Sequence, residues 1–166
     1  MSPPEWEPEL LTLYHGSNRL FDRPDLAEAR QRRDFGVGFY TTTLRSQALD
    51  WAKSVTSRWG GQPYLYVFAF DPPTGLAIKE FPEINLEWLD LVKANRMSGG
   101  VQHSFDVVIG PVANDNTMRT IAGYVAGIYE ADEAMRRLRH FRANDQVSLH
   151  TPRALSGLTL KGRERV

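Results

Sequence analysis

The segment Leu13-Tyr14-His15-Gly16-Ser17, followed by Asp34-Phe35-Gly36-Val37-Gly38-Phe39-Tyr40-Thr41-Thr42-Thr43, decides how this sequence is interpreted. In each segment an aromatic or imidazole side chain lies next to glycines, which let other groups approach the backbone closely. A strand that ends in His-Gly presents a ring nitrogen and unshielded peptide groups at one point. A second strand that begins Gly-Phe-Tyr presents an aromatic face beside it. Together they predict a pocket for a flat heteroaromatic ring that carries an amide, and nicotinamide is the obvious candidate.

The bulk composition predicts one soluble domain. The chain has 166 residues, of which 42% are hydrophobic and 24% charged, and its 20 basic residues balance 20 acidic ones. This length suffices for a real core, and the balanced charge gives no argument for nucleic acid or membrane as a partner. The absence of cysteine excludes disulfides, thiolate metal sites and a thiol nucleophile. The acidic, proline-rich start differs from a signal peptide, so we expect a cytoplasmic protein.

Short strands and amphipathic helices are interspersed along the chain without a repeat. Residues 1–9 form an expected extended tail, and residues 10–166 an expected single domain. The patterns predict strands at 10–15, 38–43, 64–70, 75–79, 105–109 and 146–150, with 158–160 as a further candidate. They predict helices at 44–58, 83–96, 117–129 and 131–141, with Thr43 as the N-cap of the first. This order favours an α+β domain around one or two small sheets.

Several common sites are excluded by spacing. Gly36 and Gly38 precede a strand, whereas a dinucleotide-binding turn needs a third glycine and a helix start at that point. The four histidines show no zinc-ligand spacing, so no metal site is expected. Ser17 lacks the Gly-x-Ser-x-Gly elbow of a serine nucleophile.

Arginines just before the second glycine segment are candidates for binding phosphate. Arg30, Arg32 and Arg33 immediately precede it, and a guanidinium group is suited to bidentate contacts with phosphate oxygens. The sequence leaves open which of the three meets a pyrophosphate.

The two segments, together with Ser46-Gln47-Ala48 and Trp51-Ala52 on the predicted helix, resemble the NAD-binding half of the ADP-ribosyltransferases of the poly(ADP-ribose) polymerase, or diphtheria-toxin, type. More closely, the chain resembles the bacterial DUF3990 family within that superfamily. Further matching segments are 21–25, 34–36, Asn95-Arg96, 106–116 and 144–151, so the likeness extends from residue 11 to about 160. The resemblance implies a single-domain fold with a split mixed and antiparallel sheet flanked by helices.

The resemblance also implies roles for individual residues. The Gly16 backbone would bind the nicotinamide carboxamide, His15 would hold a ribose hydroxyl, and Tyr40 would stack on the nicotinamide ring. Tyr14 or Phe39 would close the other side of the ring. The implied cofactor contacts are, in full, Tyr14, Gly16, Ser17, Asn18, Arg30, Arg33, Asp34, Gly38, Phe39 and Thr41, with Ser17 and Asn18 on the adenosine side.

The third element of the superfamily pattern differs in this sequence. The superfamily commonly has a glutamate at the start of a late strand, where its charge favours an oxocarbenium-like transition state. The matching position here is Gln146, which can bind ribose hydroxyls but carries no charge. A carboxylate from Asp115, Asp106 or Asp34 is the expected substitute, although an aspartate of this kind also commonly caps a turn or a helix.

These features predict an enzyme, an NAD-dependent mono-ADP-ribosyltransferase that releases nicotinamide. His15, Tyr40, Gln146 and Asp115 are its expected catalytic residues. NAD is the expected substrate, and the acceptor is a protein or a nucleic acid. The likeness also suggests a bacterial toxin or effector with an antitoxin or immunity protein as partner. An NAD glycohydrolase and a non-catalytic module that binds NAD or ADP-ribose are the alternatives.

Overall fold

The computed structural model describes residues 11–112, 115–138 and 145–166, and for residues 115–118 it describes the backbone alone. The predicted tail at 1–9 therefore lies outside the described residues. The strands are β1 (Leu11–Ser17), β2 (Phe39–Thr41), β3 (Tyr64–Phe70), β4 (Ile78–Glu80), β5 (Val107–Gly110), β6 (Gln146–Leu149) and β7 (Leu158–Arg165). The helices are α1 (Arg45–Trp59), α2 (Leu86–Ser98), α3 (Asp115–Val125), α4 (Ala131–Leu138) and α5 (Pro152–Leu155), with a 3-10 turn at Leu26–Glu28.

The strands form two sheets. One sheet is antiparallel and has the order β1-β3-β7, and the other is mixed and has the order β2-β6-β5-β4, with β4 and β5 parallel. The predicted α+β class is therefore confirmed, and the described strands do divide between a mixed and an antiparallel sheet. A single bridge pair, Tyr14 with Thr42, joins β1 to the end of β2.

Two hydrophobic clusters hold the sheets and helices together. Strands β1, β2, β3 and β6 contribute large apolar side chains to a cluster that includes Leu13, Phe39, Tyr66 and Leu149. Helices α2, α3 and α4 pack around a second cluster, in which Trp88 is fully buried. Burial of such side chains is the main force that orders the chain, and here it fixes β1, β2 and β6 relative to one another.

The predicted C-terminal end of α1 is correct, but its predicted N-cap residue is wrong. The helix ends as expected at Gly60, which has a left-handed φ of 83°. Its N-cap is Leu44 rather than Thr43, and Leu44 makes no side-chain capping bond. The Thr43 hydroxyl and main-chain N–H instead donate to the Asp145 carboxylate. The Asp145 carboxylate, which directly precedes β6, thus accepts the hydroxyl hydrogen bond that the sequence pattern assigns to the helix N-terminus.

Strand β7 is longer than the sequence predicts. The apolar pattern ends at Leu160, yet the strand continues through Arg165 and pairs with β3, with a bulge opposite Val67 and Phe68. Its second half is charged and largely exposed. Charged side chains are common on edge strands, where they oppose pairing with other chains.

Candidate active site

Beyond the Tyr14–Thr42 bridge, the outer edge of β1 pairs with no other described strand, and we call it the open edge. Tyr14 exchanges two main-chain hydrogen bonds with Thr42, of 2.8 and 2.9 Å, across the bridge between β1 and β2. Alternate residues of a strand direct their peptide groups to the same edge. The N–H and C=O of Gly16 therefore face the side of β1 on which Tyr14 meets Thr42, two residues beyond that pair. They lie where the sheets separate.

Glycine is required at position 16 by the packing of α1 on β1. A Cβ atom there would lie 2.8 Å from the main-chain nitrogen of Ala52 and closer still to the carbonyl oxygen of Ala48. Real Cβ atoms do not approach other atoms so closely, so a side chain would force the helix away from the strand. The first glycine of the sequence pattern thus has a structural role, and its main chain still faces the open edge.

His15 is held in one orientation and one tautomer. Its Nδ1 lies 2.6 Å from the carbonyl oxygen of Tyr40, which only accepts, so Nδ1 carries the proton and Nε2 is an acceptor. The ring packs 4.3 Å from the Phe39 ring centroid and 5.7 Å from that of Phe21. Burial lowers the pKa of His15 to about 4, despite the opposing effect of the Tyr40 carbonyl. His15 is therefore neutral at pH 7.

Tyr40 is fixed through its hydroxyl. The hydroxyl donates to the Gly36 carbonyl at 2.6 Å and accepts from the Phe35 N–H at 3.0 Å. Burial is the largest cause of a strongly raised pKa for this phenol, which stays protonated. Because neighbouring residues of a strand point to opposite faces, Phe39 lies on the other side, against His15 and the core. Phe39 thus supports the imidazole and does not face Tyr40 as a second ring wall.

Arg33 lies over the ring of Tyr40. Its guanidinium carbon is 4.1 Å from the Tyr40 ring centroid and 5.6 Å from that of Trp51, on α1. Burial lowers the pKa of Arg33, and the nearby Arg30 and Arg96 act in the same direction. Tyr40 and Trp51 therefore form a slot that holds a flat cation, and we call it the ring slot. The slot is occupied by the chain's own arginine.

The other two arginines of this segment have different partners. The guanidinium of Arg30 lies over the indole of Trp59, 5.3 Å from its centroid. Arg32 has a left-handed φ of 61°, and it donates to the carbonyl oxygens of Arg96 and Met97, both at 2.7 Å, at the C-terminal end of α2. The segment therefore directs three cations to three different places, and only Arg30 and Arg33 lie on aromatic rings.

Gln146 lies next to a carboxylate. Its Nε2 donates to the Asp34 carboxylate at 3.4 Å and to the Pro111 carbonyl at 3.1 Å. Asp34 also forms an ion pair with Arg96, whose Nε is 3.0 Å from Oδ1. Gln146 and Asp34 are both buried. Of Asp34 and Asp106, the two proposed aspartates whose side chains the structure describes, Asp34 is thus the one that bonds Gln146.

Two other aspartates accept hydrogen bonds from neighbouring segments, and a third has no described side chain. Asp106 accepts from the Thr151 hydroxyl at 2.7 Å and the Ala77 N–H at 2.8 Å, and the Thr151 bond is the main cause of its lowered pKa. Asp145 accepts from Thr42 and Thr43 at the start of α1. Asp115 is the first residue of α3, and its side chain lies outside the part of the chain that the structure describes.

Three other predicted contact residues make hydrogen bonds within the fold, and a fourth, Gly38, is closely packed. The Ser17 hydroxyl accepts from the Arg19 N–H at 3.2 Å, and Asn18 donates to the Gly60 carbonyl at 3.0 Å. The Thr41 hydroxyl donates to the Val147 carbonyl at 2.7 Å within the mixed sheet. At Gly38 a Cβ atom would lie 2.7 Å from the His150 ring. Each of these residues therefore has a structural role near the site.

A buried asparagine and two histidines fix the glycine loop, by which we mean residues 34–38. Asn95 is fully buried, and it donates to the Asp34 carbonyl at 3.3 Å while its Oδ1 accepts from the Gln102 N–H at 2.8 Å. Nε2 of His103 bonds the carbonyl of Phe35 at 2.7 Å. This places the loop between α2 and the mixed sheet.

His150 holds the other half of the glycine loop. Its Nδ1 bonds the Val37 carbonyl at 2.8 Å, and its Nε2 lies 2.8 Å from the Ser148 hydroxyl. Burial lowers its pKa to about 4. Together with His15, each of the described histidines thus bonds a main-chain carbonyl in or next to this loop.

A protein-family model matches residues 11–160, and its description is "Protein of unknown function (DUF3990)". The chain belongs to the DUF3990 family. No curated protein matches it. The site described above lies within the matched residues of this DUF3990 chain, including the motif Asn95-Arg96, whose two side chains bind Asp34.

The described residues contain neither a metal-ligand cluster nor a helix suited to cross a membrane. Within residues 11–112, 115–138 and 145–166, no three histidine or acidic side chains lie close enough together to hold a metal ion. No helix of this described part combines the length and apolar character needed to cross a membrane.

The sequence assigns no role to four residues of this site, although three of them, Trp51, Arg96 and His150, lie in segments that carry the resemblance. Trp51 closes the ring slot, Arg96 neutralises Asp34, and His103 and His150 orient the glycine loop. The helical spacing of Trp51 is typical of a core position, yet 39% of the residue is exposed. The exposure of this apolar helical residue indicates a functional role for Trp51, but the exposure is visible only in the structure and not in the sequence.

Proposed function

We propose that this protein has an ADP-ribosyltransferase-like fold and acts as an NAD-dependent mono-ADP-ribosyltransferase. The observation that carries the proposal is the meeting of His15, Tyr40 and the Gln146–Asp34 pair at the split between the sheets. They come from β1, the glycine loop, β2 and β6, and Gln146 lies 112 residues from Asp34 along the chain. The resemblance of the motifs to NAD-binding ADP-ribosyltransferases agrees with this arrangement.

The nicotinamide end of NAD suits the open edge and the ring slot. A carboxamide has the donor and acceptor of a peptide group, so it can pair with the N–H and C=O of Gly16 as a neighbouring strand would. The pyridinium ring of NAD is a flat cation, and such cations are attracted to aromatic faces. Tyr40 and Trp51 offer two such faces, which now hold the Arg33 guanidinium. In this proposal NAD displaces Arg33, whose charge then becomes available to the pyrophosphate.

The ribose would lie between His15 and Gln146. The neutral imidazole accepts a hydrogen bond from a ribose hydroxyl through Nε2, and the Gln146 amide binds a second hydroxyl. The bond between the anomeric carbon and the pyridinium nitrogen then breaks, and nicotinamide leaves with the bonding electron pair. An acceptor nucleophile forms the new bond at that carbon and loses a proton. The Asp34 carboxylate supplies negative charge near the developing cation.

A non-catalytic module for NAD or ADP-ribose is the second candidate, and one observation favours it. The Asp34 carboxylate is neutralised by Arg96, whose side chain is 22% exposed. A compensated carboxylate and a neutral amide provide less stabilisation of a cation than a free glutamate. The site would then bind the dinucleotide without cleaving it.

One experiment separates these functions. NAD labelled in the adenylate part is incubated with the purified protein and a bacterial lysate, and nicotinamide release is measured by chromatography. A transferase gives free nicotinamide and a labelled macromolecule, whose sensitivity to protease or nuclease identifies the acceptor as protein or nucleic acid. A glycohydrolase gives free ADP-ribose, and a binding module gives neither product.

Variants test whether the proposed residues are responsible. His15→Ala and Tyr40→Ala should abolish nicotinamide release and weaken NAD binding at least tenfold. Asp22→Asn is the matched control, because the Asp22 side chain is fully exposed. The proposal fails if the wild-type protein neither binds NAD nor releases nicotinamide with any acceptor. The role in a toxin system, an antitoxin partner and a cytoplasmic location belong to the same proposal.

A further inference from the structure

Trp59 is the most exposed tryptophan that the structure describes. It is the last residue of α1, and 67% of it is exposed to solvent. The guanidinium of Arg30 lies 5.3 Å from its ring centroid. Single exposed apolar side chains are common on protein surfaces, so a role for this ring rests on its position near the end of β1 and on the arginine that lies against it.

The surroundings of Trp59 connect it with the open end of β1. Asn18, directly after the strand, donates to the carbonyl of Gly60, the residue after Trp59. The main-chain carbonyl of Asn18 in turn accepts from the Gln62 N–H at 3.3 Å. These bonds bring the end of α1 to the end of β1, which the sequence resemblance associates with adenosine. Trp59 therefore lies next to the residues that follow β1, the strand that carries His15.

Two aromatic platforms lie along α1, and each is paired with an arginine. Trp51 and Trp59 are eight residues apart in the helix, so they are separated by about 12 Å along its axis. Arg33 lies over the first ring and Arg30 over the second. The two guanidinium groups are close enough for Arg30 to lower the pKa of Arg33. The surface thus has a ring platform at each end and two cations belonging to one short segment.

A dinucleotide has the complementary pattern, with two aromatic rings joined through two anionic phosphates. We infer that Trp59 is the stacking platform for the adenine ring of NAD, with Arg30 and Arg33 serving the pyrophosphate. This inference rests on the proposed function and extends it to the adenylate half of the ligand. Aromatic side chains stack on nucleobases, and arginine contributes through its charge and its plane.

Calorimetric titration of adenosine monophosphate, ADP-ribose and nicotinamide tests the inference separately from catalysis. Trp59→Ala should weaken binding of the first two ligands at least about tenfold, which corresponds to the loss of one stacked base. Nicotinamide, which has no adenine, should bind Trp59→Ala and the wild type equally. Trp59→Phe should restore most of the affinity, because the phenyl ring still provides a face for stacking. Ile128→Ala is the control, since Ile128 is also highly exposed (73%) but lies between α3 and α4.

The other outcomes overturn the inference. They are a wild-type protein that binds neither adenylate ligand, a Trp59→Ala variant with unchanged affinity, and a Trp59→Phe variant as weak as Trp59→Ala. A short single-stranded RNA and a DNA of the same sequence are titrated as well. If Trp59→Ala weakens oligonucleotide binding but leaves ADP-ribose unaffected, the platform serves a nucleic acid instead. If adenylate binding depends on Trp59 but no nicotinamide is released, the inferred adenylate site stands and the proposed transferase activity fails.

Discussion

Replacement of Asp34 by asparagine tests the network on which the candidate site depends. The carboxylate pairs with Arg96 and accepts from Gln146, and both Asp34 and Gln146 are buried. Asparagine has nearly the same shape but carries no charge, and its amide nitrogen would face either Arg96 or the Gln146 amide. Removing one partner of a buried ion pair costs about 3–5 kcal/mol. Because 22% of the Arg96 side chain reaches solvent, water compensates part of that loss, and we expect about 2–3 kcal/mol.

Urea denaturation followed by circular dichroism measures this change in the free energy of unfolding. For a chain of this size, the loss corresponds to a fall in melting temperature of about 5–10 °C. Asp22→Asn is the control, since Asp22 makes only an exposed contact of 3.6 Å with Arg163, and such pairs contribute about 0–1 kcal/mol. If Asp34→Asn destabilises the protein no more than Asp22→Asn does, the network is not the structural centre that we describe.

Three further predictions follow from other parts of the site. Gly16→Ala should lower the free energy of unfolding, measured by urea denaturation, by at least ~2 kcal/mol, because the new Cβ atom would meet the backbone of α1. Gly162→Ala is the control, since a Cβ atom there meets nothing within 4 Å, and it should change stability by less than ~0.5 kcal/mol. Equal effects of the two variants would contradict the packing argument. Tyr40→Phe loses two hydrogen bonds of the hydroxyl and should cost ~1–2 kcal/mol, yet it should retain NAD binding that Tyr40→Ala loses in equilibrium titration. His15 and His150 have pKa values lowered from 6.5 to about 4, so the unfolded chain takes up their protons first and stability should fall as the pH falls from about 7 to 4. The loss should reach about 2 kcal/mol per histidine at pH 5, and stability that is equal at pH 7 and pH 5 would refute it.

Local signals in the sequence were sufficient for most of the elements. Strand β3 matches the predicted bounds of 64–70, and α1 is displaced by a single residue from 44–58. Both have strong patterns, because β3 is a run of aromatic and branched residues and α1 has helical apolar spacing that ends at two glycines. Where the pattern is weak, as at β4 and the charged half of β7, pairing with a neighbouring strand determines the extent.

The sequence predicts only those parts of the site whose residues lie close together along the chain. His15, Gly16 and Tyr40 are visible in two short segments, and the structure brings them together. The partners of Gln146 are 112 and 35 residues away along the chain, and no local pattern encodes such contacts. The position of Arg33 was unpredictable for the same reason. Its charge predicts an anionic partner, but its place over Tyr40 depends on the packing of Trp51 of α1 beside that ring.

The glycine loop is a meeting point for parts of the chain that are distant in sequence. Asn95 on α2, His103 before β5 and His150 after β6 bond main-chain groups within the same few residues. Effects of substitutions usually add when sites are independent, and they cease to add when sites share a partner. Replacements at these three positions should therefore show energetic coupling in double-mutant cycles. Among relatives, we expect a change at one of these positions to be accompanied by changes at the others.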